Sequence, residues 1–158
     1  MHDRQSFFDN TIKLVKGTQI LGLPVLWTEQ NPAGLGPTIP EIAELLPNQN
    51  PLGKFSFSCC GDQAFVKELE ALDRENMLVA GIEAHVCVYQ TAADLVDLNY
   101  NVQVVADAVA SRTAENKHIG LERSKEAGAG LTSTETVLFE LLKVAEGDTF
   151  KQIIKIVK

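Results

Sequence analysis

The chain has 158 residues, 45% of them hydrophobic, about the size of one ordinary domain with a substantial core. Against 21 aspartates and glutamates stand 14 lysines and arginines, a formal charge of -7 with no basic patch able to neutralise a run of phosphates, so nucleic acid is not an expected partner. The apolar segments are short, and Met1-His2-Asp3-Arg4 lacks the apolar core of a signal peptide, which points to a cytoplasmic protein without a membrane span.

Phe8, Ile12 and Val15 fall at helical spacing before Gly22, and Pro24-Val25-Leu26-Trp27-Thr28 then reads as a short buried strand. Pro32, Pro37, Pro40, Pro47 and Pro51, with Gly34 and Gly36 among them, mark the stretch from Glu29 to Pro51 as a long functional loop or lid. One helical turn through Ile42, Leu45 and Leu46 fits inside it. Asp62 is placed to cap a helix bearing Phe65, Leu69 and Leu72 on one face, and Met77-Leu78-Val79-Ala80-Gly81 follows as a buried strand.

From about His85 to Leu98 a helical pattern leaves only Gln90, Asp94 and Asp97 as a polar stripe, so this helix is expected to be nearly enclosed. Val102 to Ala106 gives the next strand, Thr113 to Ala127 an amphipathic helix, and Gly130-Leu131-Thr132 a short strand. Ser133 then caps a helix from Glu135 to Val144, and Asp148 a last one with Phe150, Ile153, Ile154 and Val157 facing inward. Strand and helix alternate without a hairpin signal. The expected class is therefore α/β, a three-layer αβα arrangement with a mostly parallel sheet and helices on both faces, in one domain over 1–158.

The three cysteines, Cys59, Cys60 and Cys87, lack metal-ligand spacing, and a lone cysteine is most often a small buried hydrophobe. Position separates Cys87 from the others. In open parallel sheets the active crevice lies beyond the carboxyl ends of the strands, where Gly81-Ile82-Glu83-Ala84-His85-Val86-Cys87 passes from strand to helix. A thiol in the first turn of a helix meets unpaired N–H groups and the positive end of the dipole, which favour thiolate. The same N–H groups suit an oxyanion hole. His2, His85 and His118 lie on separate elements, so no metal site and no cofactor is expected.

The segment Gly81-Ile82-Glu83-Ala84-His85-Val86-Cys87, continued by Val88-Tyr89-Gln90-Thr91-Ala92, resembles the nucleophile motif of the isochorismatase-like cysteine hydrolases, which include nicotinamidases and isochorismatase. Pro51-Leu52-Gly53-Lys54-Phe55-Ser56 is similar to that family's lysine segment, and Val104-Val105-Ala106-Asp107-Ala108-Val109-Ala110-Ser111-Arg112 to its following strand and loop. Thr28-Glu29-Gln30 and Gly34-Leu35-Gly36-Pro37-Thr38 are shared most closely with isochorismatase domain-containing proteins of unassigned substrate.

The resemblance implies that Cys87 attacks a carbonyl carbon, with Lys54 favouring thiolate and guiding protons, and that water then releases the acyl group. It implies a cis peptide at Ile82–Glu83, an oxyanion hole from the N–H groups of Glu83 and Cys87, and a substrate pocket near Trp27, Glu29, Gln30, Phe55 and Ala84. Nicotinamidases hold a metal with an aspartate and histidines after the strand that ends here in Trp27-Thr28-Glu29-Gln30-Asn31. That donor set is absent, which favours a metal-free relative acting on a small molecule as a homo-oligomer.

The family's third catalytic residue is an aspartate on a first strand that would precede Met1, and Asp3 and Asp9 are not placed to replace it. The expectation is thus an N-terminally truncated family member, through a start at an internal methionine, a strand supplied by a partner, or a paralogue that has lost activity and serves as a binding or oligomeric scaffold. Loss of that strand is expected to leave two unpaired inner edges.

Overall fold

Alternating valine and alanine along Asn101–Ala110 let one strand carry apolar side chains on both of its faces, and this strand organises the fold. In a computed structural model describing residues 1–158, the elements run in order α1 (Arg4–Ile20), β1 (Thr28–Gln30), α2 (Pro32–Leu35), α3 (Pro40–Ala43), β2 (Leu52–Lys54), α4 (Gln63–Ala71) and β3 (Asn76–Ile82). After these come α5 (Tyr89–Asp97), β4 (Asn101–Ala110), α6 (Ala114–Glu126), β5 (Gly130–Thr132), α7 (Thr134–Leu142) and α8 (Gly147–Val157). On one face of β4, Val102, Val104 and Val109 pack with Phe65 and Leu69 of α4 and Ala92 and Leu95 of α5. On the other, Val105 and Ala108 meet Leu14 of α1 and Val137 of α7. Helices therefore cover both faces of a parallel sheet, the three-layer α/β arrangement.

The sheet is divided. β1 and β2 pair in parallel with Gln30 opposite Lys54, while β3, β4 and β5 form a separate parallel set in that order. β1 and β3 each keep one edge without a strand partner. The sequence leads one to expect β3 fully buried, yet it is exposed at alternate residues, with Leu78 37% and Ile82 50% accessible. Met77 and Val79 pack against the core on one face of β3, and the opposite face, which carries Leu78 and Ile82, stays open.

Other elements shift for identifiable reasons. The first strand is Thr28–Gln30 rather than Pro24–Thr28, because pairing begins only where Leu52 N–H reaches the Trp27 carbonyl. On α1 the buried stripe is Phe7, Leu14, Gly17 and Thr18, whereas Phe8, Ile12 and Val15 are half-buried. Gly17 lets α1 and α7 approach closely, since a Cβ there would lie 2.4 Å from a Leu138 methyl.

β4 extends past Ala106 to Ala110 through a bulge: Val79 pairs with Val104, but Gly81 pairs with Val109. The bulge presents Asp107, whose Oδ1 accepts from the Thr134 N–H (2.8 Å) and hydroxyl (2.9 Å) and so anchors the start of α7. Asp62, Thr113 and Ser133 cap α4, α6 and α7. Asp148 does not cap α8; it sits inside the first turn and pairs with Lys151, the cap position being Glu146.

Candidate active site

Three strands deliver the site. β1 ends in Gln30, β2 in Lys54, and β3 runs into the turn that carries Cys87, so all three groups emerge at carboxyl ends. Gly81 adopts φ +114°, a conformation open to glycine, and the Ile82–Glu83 peptide bond beyond it is cis. Ala84–Val88 then forms a single wide π-type turn before α5, in which the Glu83 carbonyl accepts from the N–H groups of Val86 (3.1 Å) and Val88 (3.2 Å). Glu83 N–H reaches no backbone carbonyl. Ala84 is fully buried, and Gly120 of α6 lies so close that a Cβ there would come within 2.5 Å of the Ala84 carbonyl oxygen.

Lys54 is 3% exposed. Its ammonium donates to Gln30 Oε1 (2.6 Å) and to the carbonyls of Ser56 and Phe57 (2.8 Å each), which uses all three of its hydrogens. The tight Phe55–Gly61 stretch that supplies those carbonyls is held by Ser56 Oγ donating to the Ser58 carbonyl. Cys87 Sγ lies 3.9 Å from the same Gln30 Oε1, so lysine and thiol, 33 positions apart in the chain, meet across one glutamine amide.

Alternation along β1 divides the remaining candidates. Thr28 and Gln30 face the cysteines, and Thr28 Oγ1 lies 3.5 Å from Cys59 Sγ. Trp27 and Glu29 point the other way and grip the long loop: Trp27 Nε1 donates to the Thr38 hydroxyl (2.8 Å) and Glu29 Oε1 accepts from Thr38 N–H (2.6 Å). Phe55 is 80% exposed beside the site, and its carbonyl accepts from Gln30 Nε2. The Thr38 latch and the bridging position of Gln30 were not legible in the sequence, where threonine and glutamine are common surface residues.

A second polar group flanks the nucleophile turn. Arg112 Nε donates to Glu83 Oε1 (3.0 Å), His85 Nε2 lies 3.9 Å from Glu83 Oε2, and His85 Nδ1 is 3.0 Å from the hydroxyl of fully buried Ser111. These contacts tie the end of β4 to the turn. No group of three or more His, Cys, Asp or Glu side chains is placed to hold a metal ion. Burial, then the charge of Asp94, pushes the Cys60 thiol up to about 11. Asp3 and Asp9 are exposed on or beside the first turns of α1.

The isochorismatase domain profile matches residues 1–136, more than half of the chain. The chain belongs to the isochorismatase family. A secreted isochorismatase effector of Phytophthora sojae is 38% identical over 157 residues, spanning 94% of this chain and 72% of that protein. Isochorismatase domain-containing protein 2 of Xenopus laevis is 38% identical over 146 residues, spanning 92% and 70%. Among solved structures, the MAR1 ribonuclease of Caenorhabditis elegans superimposes with a TM-score of 0.89 at 35% identity over 97% of this chain and 79% of that one. An octameric hydrolase of unknown specificity from Escherichia coli shares the fold, with a TM-score of 0.91 at 24% identity over 98% and 76%. In this family member no helix is long and apolar enough to cross a membrane.

Proposed function

We propose that this isochorismatase-family chain is a metal-independent cysteine hydrolase that cleaves a small amide or related C–N bond through a thioester. The observation that carries the reading is the convergence of the Cys87 thiol and the buried Lys54 ammonium on Gln30, at the carboxyl ends of three strands. Cys87 thiolate adds to the carbonyl carbon, and the developing oxyanion is met by the N–H groups of Glu83 and Cys87. The C–N bond breaks, the proton that Cys87 gave up passes by way of Lys54 to the leaving amine, and the acyl group stays on sulfur. Water then adds to the thioester, releasing the carboxylic acid and restoring the thiol. The whole chain acts as one domain, in a homo-oligomer of the kind named for the Escherichia coli neighbour, in the cytoplasm; the Phytophthora relative is named as secreted.

The test is ammonia release from a panel of small primary amides, with acid-quenched peptide mass spectrometry to find the acyl adduct. An adduct on Cys87 and loss of release in Cys87→Ala support the reading; equal release from Cys87→Ala overturns it. The name of the Caenorhabditis elegans neighbour suggests RNA as a substrate, but a formal charge of -7 gives this chain little hold on phosphates, so labelled RNA is expected to survive incubation.

A second reading, a binding or oligomeric scaffold without turnover, is favoured by the divided sheet. The free edges of β1 and β3, with Leu78 and Ile82 open on β3, are surfaces that pair with other chains. A stable oligomer without adduct or ammonia release would select it.

A further inference from the structure

We infer that Gln30 is a positioning residue that governs how strongly the Lys54 ammonium acts on the Cys87 sulfur, a role that rests on the reading of Cys87 as nucleophile. The orientation of its amide is dictated by its neighbours. Lys54 is a donor only, so the atom facing it is oxygen; the Phe55 carbonyl is an acceptor only, so the atom facing it is nitrogen. Turning the amide over would break both contacts at once. Oε1 is thereby pinned 2.6 Å from Nζ and 3.9 Å from Sγ.

Two consequences follow from that placement. The ammonium has no hydrogen left for sulfur, since the carbonyls of Ser56 and Phe57 hold the other two. The sulfur's own partner is also the amide oxygen rather than the ammonium. Of the three acceptors on Lys54, only Gln30 also touches Cys87, so the Lys54–Gln30 bond is the one that must open before the ammonium reaches the sulfur.

The experiment is the pH profile of iodoacetamide alkylation at Cys87, read by peptide mass so that Cys59 and Cys60 are scored separately, in wild type, Gln30→Met and Gln30→Glu. Gln30→Met keeps the length but removes the oxygen and frees one ammonium hydrogen; the half-maximal pH is expected to fall by about one unit. Gln30→Glu keeps the shape but adds a full negative charge that holds Lys54 and opposes thiolate; the half-maximal pH is expected to rise by about one unit. Opposite shifts establish the role. Unchanged midpoints in both folded variants, or shifts of the same sign, overturn it, because a merely structural glutamine would not move the profile in two directions. Failure of the underlying reading looks different: Cys87→Ala would retain ammonia release whatever the profiles of the Gln30 variants.

Discussion

The Cys87 turn and the Cys59–Cys60 turn hold the same functional group and offer it different surroundings. Cys60 is set against the core beneath α5, where burial and Asp94 keep it protonated up to about 11. Cys87 stands at the mouth of the sheet on a wide turn, beside a glutamine that leads to a buried ammonium. The two turns are also linked, since the Cys59 N–H donates to Thr91 Oγ1 one helical turn beyond Cys87. Thiol chemistry is decided by what surrounds the sulfur, and a count of cysteines carries none of that information.

The largest effect that would break the comparison is at the nucleophile. Cys87→Ala is expected to lower amide turnover by at least about a thousandfold, while Cys60→Ala leaves turnover within about twofold; parallel ammonia assays on the two variants measure the contrast. Next in size is Lys54→Met. Without the ammonium, alkylation of Cys87 at neutral pH is expected to slow by about a hundredfold. The same variant strands the acceptors on Gln30, Ser56 and Phe57 and costs about 1–3 kcal/mol of stability. Stopped alkylation time courses and urea denaturation read these two effects separately.

The Cys60 thiol gives a pH dependence. It ionises near 9.0 when unfolded and about 11 when folded, so the unfolded chain loses its proton first. Its contribution to stability is complete below pH 9 and is lost as pH rises through about 11. Thermal unfolding between those limits is expected to show a falling Tm whose slope is shallower in Cys60→Ala. The smallest effect is at the link between the turns. Thr91→Val removes the acceptor for the Cys59 N–H in a buried position and should cost about 1 kcal/mol, seen as a drop of a few degrees in Tm.

Local signals were strong wherever chemistry and chain position coincide. Asp62 and Ser133 cap helices because their side-chain oxygens reach N–H groups two or three residues ahead, a contact that needs no distant partner. The strand-to-turn passage around Gly81 placed Cys87 at a carboxyl end by the same local reasoning. The Asp148 expectation shows the limit of such signals, because α8 starts at Gly147, two residues earlier than that cap requires, and leaves the aspartate inside the first turn. The α1 stripe shows another: Phe7 and Phe8 are equally apolar, and only the tertiary packing of α1 chooses between them.

Alternating strands and helices, their caps, the parallel α/β class, and Cys87 and Lys54 as the residues to watch were determined by the amino-acid sequence alone, because periodicity, capping and motif order are properties of neighbours along the chain. Tertiary structure decided the rest. The division of the sheet between β1 and β3, the exposure of an apolar strand, the grip of Trp27 and Glu29 on Thr38, and the fixed amide of Gln30 between ammonium and thiol all join segments distant in sequence. Such contacts depend on which edges pair and which faces meet, and a side chain's partner across a gap is set by the path of the whole backbone.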